Sequence, residues 1–209
     1  MGDKGAQTRE RILDVSQRLI LRNGFSGTAI DEIIYEAGIT KGGFFYHFKN
    51  RGDLARQLIV RFLEEDTRIL SELIDRARSL VDDPFQQVLA FLKLYSETVE
   101  HMDEVHPGCL VASYTYESNQ FSPEIRELAR EGVEAWKRLF TEQFERVLEE
   151  YDTSANVEDL ADMLNALIEG GIVLSRLNGD NTLLARQMLQ FRDYLQSVFT
   201  RKPGARSQG

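Results

Sequence analysis

The sequence predicts an all-α fold in which three short N-terminal helices precede a larger helical body. Apolar residues recur every three or four positions along most of the chain, which is the periodicity of an amphipathic helix. Only four prolines occur in 209 residues, and no segment shows a convincing apolar–polar alternation of the kind that marks a strand. With 42% hydrophobic and 28% charged residues, the composition is that of a globular protein that can bury a core, so extensive disorder is excluded.

The three N-terminal helices are predicted from their caps and from the turns between them. Thr8 is expected to cap a helix that runs to about Asn23. Thr28 is expected to cap a short second helix, and Thr40 a third that ends near Phe48. A three-residue turn that contains glycine separates the second helix from the third. This arrangement indicates a helix-turn-helix unit, whose second helix lies in the major groove in DNA-binding proteins.

The body is predicted to consist mainly of longer helices. One begins at Asp53, and the Asp83-Pro84 pair starts another that reaches about Met102, because aspartate caps helices and proline is favoured in their first turn. Four further stretches have helical or apolar character: 109–116, 123–150, 157–177 and 182–199. The residues that follow the last of them are expected to be disordered.

Charge divides the chain into two unequal parts. The whole chain carries a formal net charge of −9, which by itself disfavours a nucleic-acid partner. Residues 1–60, however, contain nine basic and seven acidic side chains, for a charge of +2, which leaves −11 on residues 61–209. We therefore predict a mildly basic head at 1–52, an acidic body at 53–200 and a disordered tail at 201–209.

The third helix is predicted to have an apolar face and an open face. At about 100° per residue, Phe44 and Phe48 share the side that packs onto the core. Gly42, Gly43 and Tyr46 point away from that core. Two glycines early in a helix cost roughly 1 kcal/mol each relative to alanine, so their presence favours a function that needs close approach to base edges and the sugar-phosphate backbone. Hydroxyls and free N–H groups at helix N-termini, together with nearby lysines, suit phosphate.

The head resembles the DNA-binding head of the tetracycline-repressor (TetR) family over about residues 9–55. An ordered run of glycine, aromatic and basic residues carries the resemblance: GF at 24–25, TAIDEI at 28–33 and AGITKGGFFYHFKNRGDL at 37–54. The resemblance and the open face together assign these positions to DNA contact, mostly to phosphates: Thr28, Ala29, Thr40, Lys41, Gly42, Gly43, Phe45, Tyr46, His47, Lys49 and Arg51. Phe45 stands where the family usually has a tyrosine, and Arg51 where a lysine is usual.

The resemblance implies a one-component transcriptional regulator with a DNA-binding head and a body that senses a ligand and dimerises. Repression is the family's usual mode: a homodimer binds a palindromic operator in double-stranded DNA, and a small-molecule inducer releases it. A cytoplasmic protein without a cofactor, a metal, a membrane partner or enzymatic activity is expected. The sequence agrees, since it contains no phosphate-binding glycine loop, nucleophile elbow or metal-ligand motif. Its longest uncharged stretch, 105–116, is too short to span a bilayer.

Aromatic residues in the middle of the body are predicted to line the inducer pocket, because binding sites for small molecules are apolar with a few polar groups for orientation. The candidates are Phe62, Phe91, Tyr95, Cys109, Tyr114, Phe121, Trp136 and Phe140. The alternative is that these side chains belong to the ordinary core, as aromatic residues at helical spacing usually do. The resemblance implies that inducer binding changes the separation of the two heads, and that the helix from Asp53 transmits this change.

The last two helices each carry an apolar stripe and are predicted to form the dimer interface. The candidates are Leu160, Met163, Leu164, Leu167, Gly171, Leu174, Leu184, Met188, Phe191 and Leu195. By resemblance to the family, these helices pair with those of a second copy in a four-helix bundle. The alternative is that both stripes belong to the core of a single chain.

The sequence leaves two alternative functions open. Cys109 is the single cysteine, and a thiol at a helix N-terminus can have a lowered pKa and react with electrophiles or oxidants. Because Gly108-Cys109-Leu110 resembles the branch of the family that includes electrophile-sensing repressors, a thiol-based redox sensor is one alternative. The other is a helical protein-interaction module that does not bind DNA. A metal site at His101, His106 and Cys109 is not predicted, because no fourth ligand is evident.

Overall fold

The computed structural model describes residues 2–204, and nine of the elements in that range are α-helices. In chain order the helices are α1 (Gly2–Asn23), α2 (Ile30–Glu36), α3 (Lys41–His47), α4 (Arg51–Leu80), α5 (Pro84–Glu100), α6 (Leu110–Tyr116), α7 (Pro123–Val147), α8 (Val157–Asn178) and α9 (Thr182–Val198). A 3₁₀ turn (Ser118–Gln120) connects α6 to α7. The strand β1 (Tyr151–Thr153) precedes α8, and β2 (Phe199–Arg201) follows α9. The all-α prediction is confirmed.

A capping residue explains where α5 begins, but the cap predicted for α1 lies inside that helix. Asp83 accepts hydrogen bonds from the backbone N–H groups of Phe85 at 2.9 Å and Gln86 at 3.0 Å, and a proline is the first residue of α5, as predicted. Thr8 is not a cap, because α1 begins before it and its hydroxyl donates to the Lys4 carbonyl one turn earlier in the same helix. The prediction for Thr8 is therefore wrong.

The sequence does not predict the small antiparallel sheet that β1 and β2 form. Tyr151 pairs with Arg201, and beyond the strand the Lys202 N–H donates to the Glu150 carbonyl at 2.9 Å. The backbone at Arg201 therefore has a strand partner, so the predicted disordered tail does not begin there, and residues 205–209 lie outside the described residues. Strands of three residues are too short to show an alternating pattern, which is why the sequence gives no signal for them.

The structure divides into two compact units, of which the first contains residues up to 65 together with 107–132. In this unit α1 packs on α2 and on α6, and α2 packs on α3. Side chains that are almost completely buried come from α1, α3, α4 and the residue that follows α3: Ile12, Leu13, Ile20, Phe44, Phe48, Leu54, Leu58 and Ile59. The predicted boundary between head and body at residue 52 is a division by role, and it stays a prediction.

The second unit contains residues 66–106 and the described residues from 133 onward. In it α9 packs along both α5 and α8. The ring of Phe85 contacts those of Tyr151 and Phe199, with centroids 4.9 and 5.2 Å apart, and so joins the small sheet to the core. Among the residues that the structure describes, no helix is both long and apolar enough to cross a membrane.

Most residues of the predicted dimer interface are buried within the single chain, and the interface stays a prediction. Seven of its ten residues are buried within the second unit itself: Leu160, Leu164, Gly171, Leu184, Met188, Phe191 and Leu195. Because α5 and α8 of the same chain cover the stripe on α9, that stripe has little surface left for a second copy. A Cβ atom on Gly171 would lie 2.5 Å from Leu184 Cδ1, so this glycine allows two helices of one chain to approach. Of the ten, Met163 and Leu174 are exposed and Leu167 is half-buried.

Candidate nucleic-acid interface

The turn between α2 and α3 sets the direction of α3. Gly38 has a φ of +61°, in the left-handed region that favours glycine, and its N–H donates to the Tyr35 carbonyl at 3.1 Å, which closes the end of α2. Thr40 then caps α3 as predicted, since its hydroxyl accepts a hydrogen bond from the Gly43 N–H at 3.1 Å. Residues 37–40 therefore form a closed turn that defines the ends of both helices.

The inner face of α3 is apolar, as predicted. Phe44 and Phe48 are completely buried, with their ring centroids 5.7 Å apart, and Ile33 and Ala37 are buried on the side of α2. Burying a phenylalanine side chain stabilises a fold by roughly 1.5–3 kcal/mol relative to leaving it exposed. These two rings therefore determine which side of α3 faces outward.

The outer face of α3 carries four exposed residues: Lys41, Gly42, Phe45 and Tyr46. Tyr46 is 83% exposed, a large fraction for an aromatic side chain. A Cβ atom on Gly42 would meet only the Thr40 hydroxyl, at 3.9 Å, so the space outside this position is open. A Cβ atom on Gly43 would lie 3.3 Å from the same hydroxyl, so Gly43 also serves the cap. An open face of this composition can approach a nucleic acid closely.

Thr28 does not cap α2, contrary to the prediction. Its side chain is buried, and its hydroxyl donates to the Gly24 carbonyl at 2.8 Å. The N-cap of α2 is Ala29, which is exposed and has no side-chain group that could accept a hydrogen bond. The prediction is one residue early, because a threonine hydroxyl can bind a carbonyl one turn back as readily as it caps a helix. Thr28 therefore stabilises the loop that leads into α2.

Arg51 is engaged within the protein. Its guanidinium donates a hydrogen bond to the Phe25 carbonyl and lies over the Phe25 ring, 4.2 Å from the centroid. The side chain is only partly exposed, whereas a residue that neutralises phosphate extends its charge into solvent. Without DNA, Arg51 thus binds the loop between α1 and α2, and its contact with DNA stays a prediction.

The remaining predicted positions lie where α3 connects to α4. The ring of His47 is half-buried and contacts that of Tyr46, with centroids 4.9 Å apart. Lys49 has an exposed side chain, and its backbone N–H donates to the Asp53 carboxylate at 2.9 Å. Burial alone would raise the pKa of Asp53, but hydrogen bonds from Gln57 and from the Lys49 backbone outweigh it, so the pKa is lowered. An ionised Asp53 therefore holds the connection between the two helices.

Replacing Lys41 by alanine is expected to weaken binding to all duplex sequences about equally. The Lys41 ammonium is 3.7 Å from the Asp31 carboxylate, but both side chains are largely exposed, so the pair is weak and the lysine is free to bind phosphate instead. The slope of log affinity against log salt should fall by about 1, which fluorescence anisotropy over a salt series measures. Lys93→Ala is the control, since Lys93 pairs with Glu97 on α5. A loss confined to one sequence would contradict a phosphate contact.

The predicted inducer-binding residues are divided between the two units. The first unit contains Phe62, Cys109, Tyr114 and Phe121, and the second contains Phe91, Tyr95, Trp136 and Phe140. In the first unit, Tyr114 and Phe121 stack with centroids 4.1 Å apart, and Phe121 lies 4.5 Å from the Phe25 ring. The Tyr114 hydroxyl donates to the Ala55 carbonyl at 3.0 Å, and burial raises its pKa. These two rings therefore pack the loop between α1 and α2 against α6.

The second unit contains a cavity that Phe91 and Phe140 line, and the other six predicted residues do not. Its other lining residues are Ile74, Arg78, Gln87, Val88, Gln143, Phe144 and Leu164. The space open to the centre of a water molecule is about 20 Å³, which is room for about one water. The sequence did not single out the polar side chains at its edge, where Arg78 donates to Gln143 at 3.0 Å, because such pairs depend on packing between distant helices.

Cys109 lies at the N-terminus of α6, as predicted. Its sulfur accepts a hydrogen bond from the Ala112 N–H at 3.5 Å, and the residue is buried. Burial and the nearby charge of Arg176 lower the pKa of His106 to about 4. Within residues 2–204, no group of three or more histidine, cysteine, aspartate or glutamate side chains is arranged to hold a metal ion.

Comparison with known proteins matches both parts of the chain. The family described as "Bacterial regulatory proteins, tetR family" matches residues 12–58, and "Tetracyclin repressor-like, C-terminal domain" matches 84–191. The HTH-type transcriptional regulator LmrA of Bacillus subtilis is 28% identical over 85% of this chain and 90% of its own length. The HTH-type transcriptional repressor NemR of Escherichia coli is 24% identical over 66% of this chain and 67% of its own length. A solved TetR transcriptional regulator from Chloroflexus aurantiacus has a TM-score of 0.78 at 24% identity, over 96% of this chain and 100% of that one, and this likeness shows the fold.

Proposed function

Since the chain belongs to the TetR family of DNA-binding transcriptional regulators, we propose that it is a repressor that binds a palindromic operator as a homodimer and is released by a small-molecule inducer. The observation that carries this proposal is the open face of α3, where Lys41, Gly42 and Tyr46 are exposed on a helix whose inner face is fully packed. A glycine with open space beside it allows a helix to lie deep in the major groove.

The distribution of charge supports DNA contact by the head alone. Residues 1–60 carry +2 and residues 61–209 carry −11, so phosphates are repelled by most of the chain. The lysines near α3, Lys41 and Lys49, have exposed side chains and can neutralise phosphate there. The individual DNA contacts predicted for the residues around α3 stay predictions.

The dimer interface that we propose is an apolar stripe along α8 instead of the buried stripe on α9. Met163, Leu174 and Leu177 are 40%, 45% and 80% exposed, and their spacing places them on one side of the helix. Gly170 lies on the same side, and apart from its own helix backbone and chain neighbours no atom of the described residues would come within 4 Å of a Cβ atom there, so a second helix can approach closely. Exposed apolar stripes of this kind mark interfaces, and a two-fold axis would pair the stripe with its copy.

We propose that the inducer binds by enlarging the cavity of the second unit. Because the cavity holds about one water molecule, an inducer has to displace the helices that line it, and α4 is one of them through Ile74 and Arg78. The same helix begins at Arg51, whose guanidinium holds the Phe25 loop. A coupling free energy of roughly 1–3 kcal/mol between inducer and operator would be enough for a switch. The inducer-binding residues stay predictions.

A redox-sensing repressor is a second candidate, and one observation favours it. The Cys109 sulfur accepts the Ala112 N–H in the first turn of α6, and such a hydrogen bond stabilises a thiolate. Burial of the thiol acts in the opposite direction. Release of the operator by N-ethylmaleimide in the wild type, and its absence in Cys109→Ser, would support this function.

Selection of bound duplexes from a random DNA pool tests the main proposal. The expected product is an inverted repeat whose half-sites are separated by about 10 base pairs or a multiple of this, because each head of a dimer reads one half-site. Affinity for the selected duplex should fall steeply as the salt concentration rises. The absence of duplex binding at any salt concentration would overturn the proposal and favour the protein-interaction module.

A further inference from the structure

The carboxylate of Glu117 binds two consecutive backbone N–H groups in the loop between α1 and α2. Oε1 accepts from the Phe25 N–H at 2.6 Å, and Oε2 accepts from the Ser26 N–H at 2.8 Å. Glu117 is the residue that follows α6, so the contact joins segments of the first unit that are far apart in sequence. Hydrogen bonds to an ionised acceptor are about twice as strong as neutral ones, so both loop amides are firmly held.

Arg51 binds the carbonyl and the ring of the same loop residue, Phe25. The guanidinium donates to the Phe25 carbonyl and lies over the Phe25 ring, while Glu117 holds the Phe25 N–H. Two side chains of opposite charge thus bind the N–H and the C=O of one residue. We name the group formed by Phe25, Ser26, Arg51 and Glu117 the loop clamp.

The backbone before Phe25 is shaped around the Glu117 carboxylate. Gly24 has a φ of +78°, and a Cβ atom there would lie 2.8 Å from Glu117 Oε1, which is closer than such atoms come to their neighbours. The Thr28 hydroxyl donates to the Gly24 carbonyl and fixes the same peptide from the other side. Glycine is therefore favoured at this position by its positive φ, and a side chain there would displace the Glu117 carboxylate.

Glu117 is ionised at neutral pH. Burial alone would raise the pKa of its carboxyl, but hydrogen bonds from Ser26 and Phe25, with the charge of Arg51, outweigh it and lower the pKa. The carboxylate consequently keeps its full charge for both amides and for the guanidinium.

We propose that Glu117 is a positioning residue for operator binding, which acts through the loop clamp on the placement of α3. The loop leads directly into α2, and Arg51 begins α4 three residues after Phe48. The clamp therefore binds the two segments that come immediately before α2 and after α3. A dimer must present two copies of this helix pair to two half-sites at a fixed spacing. The inference rests on the proposed function, and it implies that a loosened clamp impairs a full operator more than a single half-site.

The test compares Glu117→Gln with Glu127→Gln, since the Glu127 carboxylate accepts hydrogen bonds from Arg130 on its own helix, α7. A glutamine at 117 keeps one acceptor oxygen and loses the charge. In Glu117→Gln we expect hydrogen–deuterium exchange of a peptide covering residues 24–29 to become about tenfold faster. Affinity for the selected full operator should fall about tenfold, and affinity for a duplex with one half-site should change much less. Glu127→Gln should leave all three measurements unchanged.

Arg51→Lys provides a second variant, because lysine keeps the charge but lacks the planar guanidinium that stacks on Phe25. Arg51→Lys should also weaken binding to the full operator more than binding to the half-site. The increase in hydrogen–deuterium exchange should be smaller than in Glu117→Gln. Equal losses on the full operator and the half-site would overturn the inference, since they indicate general weakening of the head. Unchanged exchange and affinity in both variants would overturn it too. If the wild type binds no duplex, the proposed function fails, whereas the exchange measurement still tests whether Glu117 holds the loop.

Discussion

Gly42→Leu is expected to abolish specific operator binding while leaving the protein at least as stable as before. Gly42 is exposed, and a Cβ atom there would meet only the Thr40 hydroxyl at 3.9 Å, so the free protein has room for the new side chain. Leucine favours a helix over glycine by up to about 1 kcal/mol. Against DNA the same side chain would occupy the space between the helix and the base edges. We expect an affinity loss of at least about 100-fold, or about 3 kcal/mol.

Measurements of affinity for the selected duplex and of the thermal unfolding midpoint separate this effect from unfolding. Gly42→Ala is the matched variant, since it adds the same helix preference with a smaller side chain and should weaken binding less. Gly43 is a poorer test, because a Cβ atom there would lie 3.3 Å from the Thr40 hydroxyl and disturb the cap. Tight operator binding by Gly42→Leu would show that this face of α3 does not lie against DNA.

The orientation of α3 could be predicted from the sequence because it depends on local periodicity. Phe44 and Phe48 lie four residues apart, and the single turn of helix between them fixes which side is inward. The Thr40 cap was predictable for the same reason, since its partner is three residues away. The hydrogen-bond partner of Thr28 could not be predicted. Its hydroxyl can bind a carbonyl one turn back or cap the next helix, and the fold of the preceding loop decides between them.

Amphipathic stripes alone do not determine which helix faces form a dimer interface. A stripe such as Leu184 to Leu195 shows that one face of α9 is buried, but it does not show whether the covering helix belongs to the same chain. In the structure α5 and α8 of the same chain both pack on α9. The exposed leucines of α8, Leu174 and Leu177, give a weaker periodic signal, and only the burial of their neighbours distinguishes them.

The role of Glu117 also lies beyond the sequence. Its partners in the loop are 91 and 92 residues away, and no spacing rule connects a glutamate after one helix to backbone amides after another. The aromatic residues predicted as a single pocket are a related case. Composition identifies them as buried, but the fold distributes them between the rings around Phe25 and the cavity at Phe91.

Leu174→Arg is expected to convert the proposed dimer into monomers. Leu174 is 45% exposed, so an arginine can extend into solvent without disturbing the core of its own chain. Near a two-fold axis each arginine would face its copy or the apolar stripe of α8, and both arrangements are unfavourable. Because a monomer has one head, operator affinity should also fall by at least about 100-fold. Analytical ultracentrifugation measures the first effect, and binding to the selected duplex measures the second.

Arginine variants of two other leucines test whether this result is specific to α8. Leu80 is 59% exposed at the end of α4, so Leu80→Arg is the matched control and should remain dimeric with full operator affinity. Leu184 is completely buried, so Leu184→Arg should unfold the second unit instead of merely dissociating the dimer. If Leu174→Arg stays dimeric, the stripe on α8 is not the interface. If it is monomeric and still binds the full operator with wild-type affinity, two heads are not needed, and the proposed reading of a palindrome by a dimer is wrong.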